Sequence, residues 1–403
     1  MVYVNKDQLT PLPPRASPKQ HSSDNKAVDV IDELLSNAAR QGASDIHIEP
    51  QQDAVHIRQR VDGVLTLVES MPLALAPRLI SRIKVMAQLD ISERRLPQDG
   101  RIEGPKVPGL TDLRVSTVPT QWGEKAVMRL LNHDRTRLEL GALGMDTAQQ
   151  KLFADALSRT QGLILVTGPT GSGKTLTLYS GLEHLNSEQL NISTVEDPIE
   201  IHLHGANQIA VNHKIGLSFA RVLRAFMRQD PDVIMVGEIR DLDTATAAIR
   251  AAQTGHLVLS TLHTNSAGSA LSRLHQLGIK LYDLTSTVSL VIAQRLVRRL
   301  CSHCKEPVAA PAQYFDCGAA QTIFRARTGG CARCLQGYSG RIAVFEFMPV
   351  NQGVVNKLHS AGSDDGIVVL GQGVLNSSLY AEALVKVLAG VTSLAEAQRL
   401  APP

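Results

Sequence analysis

A glycine-rich run of eight residues has the clearest chemical meaning in this sequence. It consists of Gly168, Pro169, Thr170, Gly171, Ser172, Gly173, Lys174 and Thr175, and it satisfies the phosphate-binding pattern GxxxxGK[ST]. An apolar, strand-like segment precedes it at residues 163–166, and a helical pattern follows it. In that context backbone N–H groups curl around phosphates, Lys174 reaches the β- and γ-phosphates, and Thr175 ligates Mg²⁺. The flanking strand and helix favour a nucleoside triphosphate site over a flexible glycine turn.

Two acidic residues could complete the chemistry of hydrolysis. Glu238 comes after the apolar segment 233–236, and Glu196 comes after the segment 192–195. If both segments are buried parallel strands, these carboxylates lie at the carboxyl edge of the sheet, where α/β proteins bind ligands. We expect Glu238 to polarise the attacking water and Glu196 to support the metal or the water. A helix cap or a solvated loop is the usual alternative for a single glutamate, but two such strands beside a phosphate loop favour catalysis.

A histidine lies at the end of a further predicted strand. His263 follows the apolar segment around residues 257–259 and is itself followed by Thr264 and Asn265. At the carboxyl end of its strand it could face the γ-phosphate as a sensor, and a purely structural histidine remains the alternative. His256, at the opposite end of this strand, is predicted to be structural.

Four of the five cysteines form two CxxC pairs. Cys301 and Cys304 are separated from Cys331 and Cys334 by 26 residues (331 − 304 − 1). A closed shell of four thiolates is typical of structural Zn²⁺, so we expect a tetracysteine zinc site that staples a protruding loop. Four unrelated thiols or a redox disulfide are the alternatives, and Cys317 is predicted to be a free thiol.

Hydrophobic periodicity divides the chain into five regions. Residues 1–26 are rich in proline and poor in apolar residues, which predicts a disordered leader. Residues 27–135 combine two amphipathic helices with short alternating strands, which indicates an α+β domain. Residues 136–300 alternate buried-strand runs with helical stretches, and this predicts an α/β fold with a doubly wound parallel sheet. A cysteine module at residues 301–340 and a helical region at 341–403 follow.

Within the third region, the segment Leu284 to Leu300 is predicted to be a helix that runs directly into Cys301.

Composition excludes several classes of protein. The net charge is only +3 and aromatic residues make up 3% of the chain, so a nucleic-acid partner is disfavoured. The N-terminal residues do not form a secretory signal, and no apolar run is long enough to span a bilayer. Together with the low cysteine content, this predicts a soluble cytoplasmic protein without membrane insertion.

Four linked segments carry a family resemblance. GPTGSGKT, TVEDPIE, RQDPDVIMVGEIRD and TGHLVLSTLHTN, in this order, resemble the Walker A, Asp, Walker B and His boxes of the secretion ATPases. ASDIHIEP, RLPQDGR, DLRVSTVPT, QRLVRRLC and GYSGR extend the similarity over most of the chain. The resemblance implies a RecA-like ATPase core in a hexameric ring, which converts ATP hydrolysis into work on an inner-membrane platform protein. Such an enzyme would act in type II secretion or type IV pilus assembly, at the periphery of the inner membrane.

The resemblance also implies roles for individual residues. It places Arg101 and Arg114, from the first domain, at the nucleotide, where they would compensate phosphate charge as an arginine finger does. A surface salt bridge is the alternative for both. Arg224, Arg228 and Arg240 could serve the ring interface. The cysteine module resembles that of assembly and secretion ATPases and is generally missing from retraction ATPases, so export or extension is favoured.

Two other functions remain open at this point. A DNA-translocating or conjugation ATPase would have the same core, although the weak net charge and the scarce aromatic residues disfavour it. A nucleotide-dependent scaffold that does not turn over would keep the phosphate loop, and the paired acids Glu196 and Glu238 argue against it.

Overall fold

The computed structural model describes residues 26–105, 107–108, 110, 112–131, 138–311, 314–315, 321–354, 356 and 378–400. The predicted leader up to residue 25 and the predicted free thiol of Cys317 lie outside these residues. Internal contacts divide the chain into two compact units, an N-terminal unit that includes the described residues up to 131 and a C-terminal unit that includes those from 138.

The N-terminal unit is a six-stranded antiparallel sheet with two helices. Its elements are α1 (Lys26–Gln41), β1 (Ala43–Pro50), β2 (Ala54–Val61), β3 (Val64–Pro72), α2 (Ala76–Met86), β4 (Gln98–Glu103), β5 (Asp112–Thr120) and β6 (Gly123–Leu131), and the strand order is β3-β2-β1-β6-β5-β4. Alternate residues of β2 are buried, as expected for a strand with one face on the core. Ile31, Leu34, Leu35 and Ala38 form the buried stripe of α1.

The C-terminal unit is built on a seven-stranded sheet. Its strands are β7 (Gly162–Thr167), β8 (Ile192–Glu196), β9 (Ala206–Ala210), β10 (Val233–Val236), β11 (Leu257–Leu262), β12 (Val288–Leu300) and β15 (Tyr338–Pro349), in the order β15-β12-β7-β11-β10-β8-β9. All neighbours are parallel except the β12–β15 pair. Every residue of β7, β8, β10 and β11 is buried, which is why these strands read as continuous apolar runs in the sequence.

Helices cover both faces of this sheet. They are α3 (Thr147–Leu157), α4 (Lys174–Leu185), α5 (Phe219–Phe226), α6 (Leu242–Gln253), α7 (Ala267–Gln276) and α8 (Leu281–Thr287). Leu163 and Leu165 of β7 belong to one hydrophobic cluster with residues of α5, α6 and α7, whereas Ile164 and Val166 belong to a second cluster with residues of α3 and α4. The alternation of β7 therefore separates two cores, as a doubly wound sheet requires.

The remaining elements follow the sheet in the chain. β13 (Glu306–Ala309) and β14 (Thr322–Arg325) form an antiparallel pair, and α9 (Leu379–Leu388) and α10 (Leu394–Gln398) lie near the C-terminus. Among the described residues, no helix combines the length and the apolar character that crossing a membrane requires.

Two sequence predictions are wrong. The predicted helix Leu284 to Leu300 is only the end of α8 followed by the 13-residue strand β12. The run from Leu290 to Ala293 is apolar without interruption, and a short apolar run fits a buried strand as well as a helix. This segment forms a strand because it pairs with β7 on one edge and with β15 on the other. For the same reason residues 341–349, predicted to be helical, belong to β15.

Candidate functional site

The phosphate loop connects β7 to α4. Gly168, Gly171 and Gly173 have φ angles of 152°, 78° and 89°, and Lys174 is the first residue of α4. The Lys174 side chain is folded over the loop, since its Nζ donates to the carbonyl oxygens of Gly168 (2.8 Å) and Pro169 (3.1 Å). Backbone in this left-handed region favours glycine. The loop therefore holds its curled shape, with the positive end of α4 beside it.

Two features of the loop fit a phosphate ligand. A Cβ atom on Gly168 would lie 2.5 Å from the Gln294 carbonyl oxygen and 2.6 Å from Ser172 Oγ, whereas a Cβ on Gly171 would meet nothing within 4 Å. The loop is thus packed on one side and open on the other. The buried Ser172 hydroxyl has no hydrogen-bond partner among the described residues, which costs about 1–3 kcal/mol. Thr175, the second residue of α4, is exposed and would be the protein ligand of Mg²⁺.

Glu238 and His263 lie close to Lys174. Glu238 follows β10, is mostly buried, and contacts Arg240 Nη2 at 2.5 Å and His263 Nε2 at 3.4 Å. Burial, the largest cause, lowers the pKa of Lys174 to about 8, while the charge of Glu238 opposes this shift and that of Arg295 adds to it. Burial and then the charge of Lys174 lower the pKa of His263. The structure therefore brings together an amine, a carboxylate and an imidazole at the carboxyl edge of the sheet.

The Thr167 hydroxyl joins the end of β7 to the end of β11 and the residues that follow it. Thr264 donates its backbone N–H to Thr167 Oγ1 at 2.9 Å, and Thr167 Oγ1 is also within 3.2 Å of the Leu262 carbonyl oxygen. Thr167 ends β7 immediately before the phosphate loop. These bonds hold the segment that carries His263 against the start of the loop.

Glu196 has a different environment from Glu238. It ends β8 and is 3% exposed. Its carboxylate accepts hydrogen bonds from Tyr179 Oη, from Thr194 Oγ1 at 2.6 Å and from Gln208 Nε2 at 3.1 Å. Burial and the Glu196 hydrogen bond raise the pKa of Tyr179. Both carboxylate oxygens thus have protein donors, and support of the metal or the water by Glu196 stays a prediction.

Arg101 and Arg114, which the family resemblance places at the nucleotide, are neighbours in the sheet of the N-terminal unit. Arg101 on β4 is opposite Arg114 on β5, which in turn is opposite Arg129 on β6. Arg101 Nε donates to Asp112 at 2.6 Å, and Arg129 Nε donates to Asp45 at 3.0 Å. Like charges opposite each other destabilise a sheet, and these carboxylates offset part of the repulsion. The sequence did not reveal that Arg129 lies in the same row as Arg101 and Arg114, because the register between strands is not visible in a sequence.

The four paired cysteines form one cluster. The Sγ atoms of Cys301, Cys304, Cys331 and Cys334 all lie within 4.8 Å of one another. The Cys301–Cys331 separation is 3.8 Å, and Cys304–Cys334 and Cys331–Cys334 are both 3.6 Å. A tetrahedral Zn²⁺ with Zn–S bonds of about 2.3 Å requires S–S separations of about 3.8 Å. The cluster therefore fits a structural zinc ion.

Sequence reasoning also missed two residues of β12. Gln294 and Arg295 lie directly against the phosphate loop, where the Arg295 Nη1 atom would be 3.2 Å from a Cβ on Gly168. They went unnoticed because the segment was predicted to be a helix. The signal that could have identified them is a pair of polar residues directly after an apolar run. Buried parallel strands end in this way where their carboxyl ends meet a ligand.

Comparisons with known proteins identify the family. The family described as type II/IV secretion system protein matches residues 20–399. The type IV pilus assembly ATPase PilB of Acinetobacter baylyi is 49% identical over 381 residues, or 93% of this chain and 66% of that protein. The type II secretion system ATPase E of Vibrio cholerae is 45% identical over 393 residues, or 96% of this chain and 78% of that protein.

Solved structures share the fold. The Legionella pneumophila ATPase DotB superposes with a TM-score of 0.68 at 22% identity, over 92% of this chain and 95% of that one. The pilus retraction motor PilT, solved with bound ADP, superposes with a TM-score of 0.60 at 26% identity, over 93% of this chain and 97% of that one. With a family match over nearly its whole length, the chain belongs to the type II/IV secretion system protein family.

Proposed function

We propose that this chain is an ATP hydrolase, built on a RecA-like core, that drives pilus assembly or type II secretion. The observation that carries the proposal is the cluster of Lys174, Glu238 and His263 beside the phosphate loop. The buried Ser172 hydroxyl of that loop has no hydrogen-bond partner in the part of the chain that the structure describes. Relatives that cover most of the chain are named ATPases of pilus assembly and of type II secretion. The chain spans 66% of the PilB relative's length, so the activity of the whole relative enters only as part of this proposal.

The proposed reaction assigns one role to each group. The oxygen of a water attacks the γ-phosphorus, its proton passes to the Glu238 carboxylate, and ADP leaves with the electrons of the broken P–O bond. Lys174 balances charge on the β- and γ-phosphates, and His263 senses the γ-phosphate. Thr175 would hold Mg²⁺, which would supply positive charge to offset the charge that develops on the phosphates. Arg101 and Arg114 would add positive charge from the N-terminal unit.

The cellular setting is part of the same proposal. We infer a hexameric ring at the periphery of the inner membrane, acting on a platform protein of the assembly or secretion machinery. The tetracysteine cluster supports a role in assembly or secretion over one in pilus retraction. Zinc would fix the chain segments that carry the four cysteines. Two domains are proposed, residues 27–135 and residues 136–403. The predicted boundary between residues 340 and 341 is not kept, because β15 crosses it and pairs with β12.

Phosphate release by the purified full chain with Mg²⁺ and ATP tests the proposal. Turnover above that of Lys174→Ala is the expected result, and absence of turnover would support the nucleotide-dependent scaffold instead. Repeating the assay with added DNA separates the remaining alternative, because a DNA-translocating motor is stimulated by DNA and a secretion motor is not. Sedimentation with and without a non-hydrolysable ATP analogue tests the hexamer.

A further inference from the structure

The strand β12 packs directly under the phosphate loop through Gln294. A Cβ on Gly173 would lie 2.8 Å from Gln294 Nε2, and Thr177 Oγ1 of α4 donates to Gln294 Oε1 at 2.7 Å. Gln294 is 2% exposed. The loop and the first turn of α4 therefore have a fixed contact with β12, and the next residue of the strand is held at a defined distance from the phosphates.

That next residue, Arg295, lies between the phosphate loop and the segment after His263. Its Nη1 donates to the Gln294 carbonyl oxygen at 3.0 Å and would be 3.2 Å from a Cβ on Gly168. Its Nη2 donates to Asn265 twice, to the carbonyl oxygen at 3.0 Å and to Oδ1 at 3.2 Å. Asn265 is two residues beyond His263. The planar guanidinium thus lies beside Gly168 and binds the segment after His263 at two points, a geometry that a lysine cannot reproduce.

A buried acid on the neighbouring strand completes the arrangement. Glu346 of β15 is opposite Ala293 of β12 and is 4% exposed. It accepts the backbone N–H of Ala267 at the start of α7 at 2.8 Å, and its charge stabilises the charged form of Arg295. The segment after His263 is therefore bound to the β12–β15 pair at two residues, Asn265 through Arg295 and Ala267 through Glu346.

We propose that Arg295 is a positioning residue for ATP hydrolysis, which holds the segment 263–265 against the phosphate loop so that His263 and Glu238 keep their places beside Lys174. The inference rests on the proposed ATPase function. Arg295 acts through these residues and is not assigned a contact with substrate.

The test compares Arg295→Gln with Arg298→Gln in the full chain. Arg298 is a matched control because it lies on the same strand and is ion-paired, with Nη2 2.8 Å from Glu396, but it anchors α10 and not the phosphate loop. Arg295→Gln should lower kcat by about tenfold to a hundredfold, with the affinity for a non-hydrolysable ATP analogue nearly unchanged. Adding Asn265→Ala to Arg295→Gln should lower kcat little further, because both substitutions remove the same Arg295–Asn265 contact.

A split between kcat and affinity supplies a readout that a merely structural role would not move. Arg295→Lys keeps the positive charge but loses the two-point contact with Asn265, so it should lower kcat as Arg295→Gln does and leave the affinity for the analogue nearly unchanged. An unchanged kcat in Arg295→Gln would overturn the inference.

Hydrogen exchange separates this inference from the proposed function. In nucleotide-free protein, Arg295→Gln should raise amide exchange in the segment 263–266 and Arg298→Gln should not. Equal exchange in the two variants would refute the role of Arg295 whether or not the chain hydrolyses ATP. Raised exchange in Arg295→Gln, together with no turnover by the unaltered chain, would leave the positioning contact supported and refute only the ATPase proposal.

Discussion

Replacing Glu238 by glutamine isolates the charge of one carboxylate at the candidate site. The amide has nearly the same shape and can still accept a hydrogen bond from Arg240, which contacts Oε1 of the native side chain at 2.5 Å. It cannot take a proton from water. A positioned general base contributes about 10²- to 10⁴-fold to a rate, which corresponds to about 2.7–5.4 kcal/mol in the barrier. We expect turnover to fall by this factor while the nucleotide still binds.

The same substitution has a second, electrostatic consequence at Lys174. The pKa of Lys174 is about 8, and the Glu238 charge is the cause that opposes its depression. Without that charge the pKa of Lys174 falls further, so the amine loses its proton at lower pH. Nucleotide affinity in Glu238→Gln should therefore begin to weaken at lower pH than in the unaltered chain.

Phosphate release and binding of a fluorescent ATP analogue, each followed from about pH 6 to about pH 10, measure both effects. Glu188→Gln is a suitable control, since Glu188 is exposed in the same unit, beyond the C-terminal end of α4. Turnover in Glu238→Gln equal to that of the control would remove Glu238 from the role of base. An unchanged pH dependence of binding would refute the electrostatic coupling to Lys174.

Four further outcomes are expected. Lys174→Ala should abolish ATP binding, because the loop loses the amine that balances phosphate charge; isothermal titration checks this, and micromolar binding would contradict it. Protein purified without chelator should contain one Zn²⁺ per chain by elemental analysis, and Cys304→Ser should lower that content; a value near zero in the unaltered chain would sink the assignment. Tyr179→Phe should destabilise the C-terminal unit by about 1–3 kcal/mol, seen as a lower urea midpoint, because a buried oxygen of Glu196 loses its donor. Arg101→Ala should reduce turnover without lowering the melting temperature much; unchanged turnover would return Arg101 to a surface ion pair with Asp112.

The sequence was sufficient to predict elements whose signal is local. The phosphate loop is readable because glycine spacing, lysine and flanking strand all occur within a few residues. The position of Glu238 at the sheet edge could be predicted because only Gly237 separates it from four buried apolar residues that form one strand. The four parallel strands were predicted for the same reason, since burial on both faces leaves an apolar run in the sequence.

Features that depend on distant partners could not be predicted. Glu196 resembles Glu238 in sequence, yet its donors Tyr179 and Gln208 come from a helix and from the edge strand β9. The row of Arg101, Arg114 and Arg129 depends on the register of three strands. Pairwise register follows from the packing of the opposite, apolar face, and the charged side chains themselves give no indication of it.

The strand β12 runs from the candidate nucleotide site to the cysteine cluster. It pairs with β7 only as far as Ala293 and continues with β15 alone to Leu300. From Gln294 to Cys301 an extended chain covers about 23 Å. The C-terminal part of β12 therefore extends beyond the parallel sheet. Arg298, bound to Glu396, and the cysteine shell that begins at Cys301 hold that part. A two-stranded ribbon alone is marginal in water, and a structural metal is the kind of constraint that stabilises one. Zinc at the end of β12 would therefore help fix the strand whose other part supports the phosphate loop.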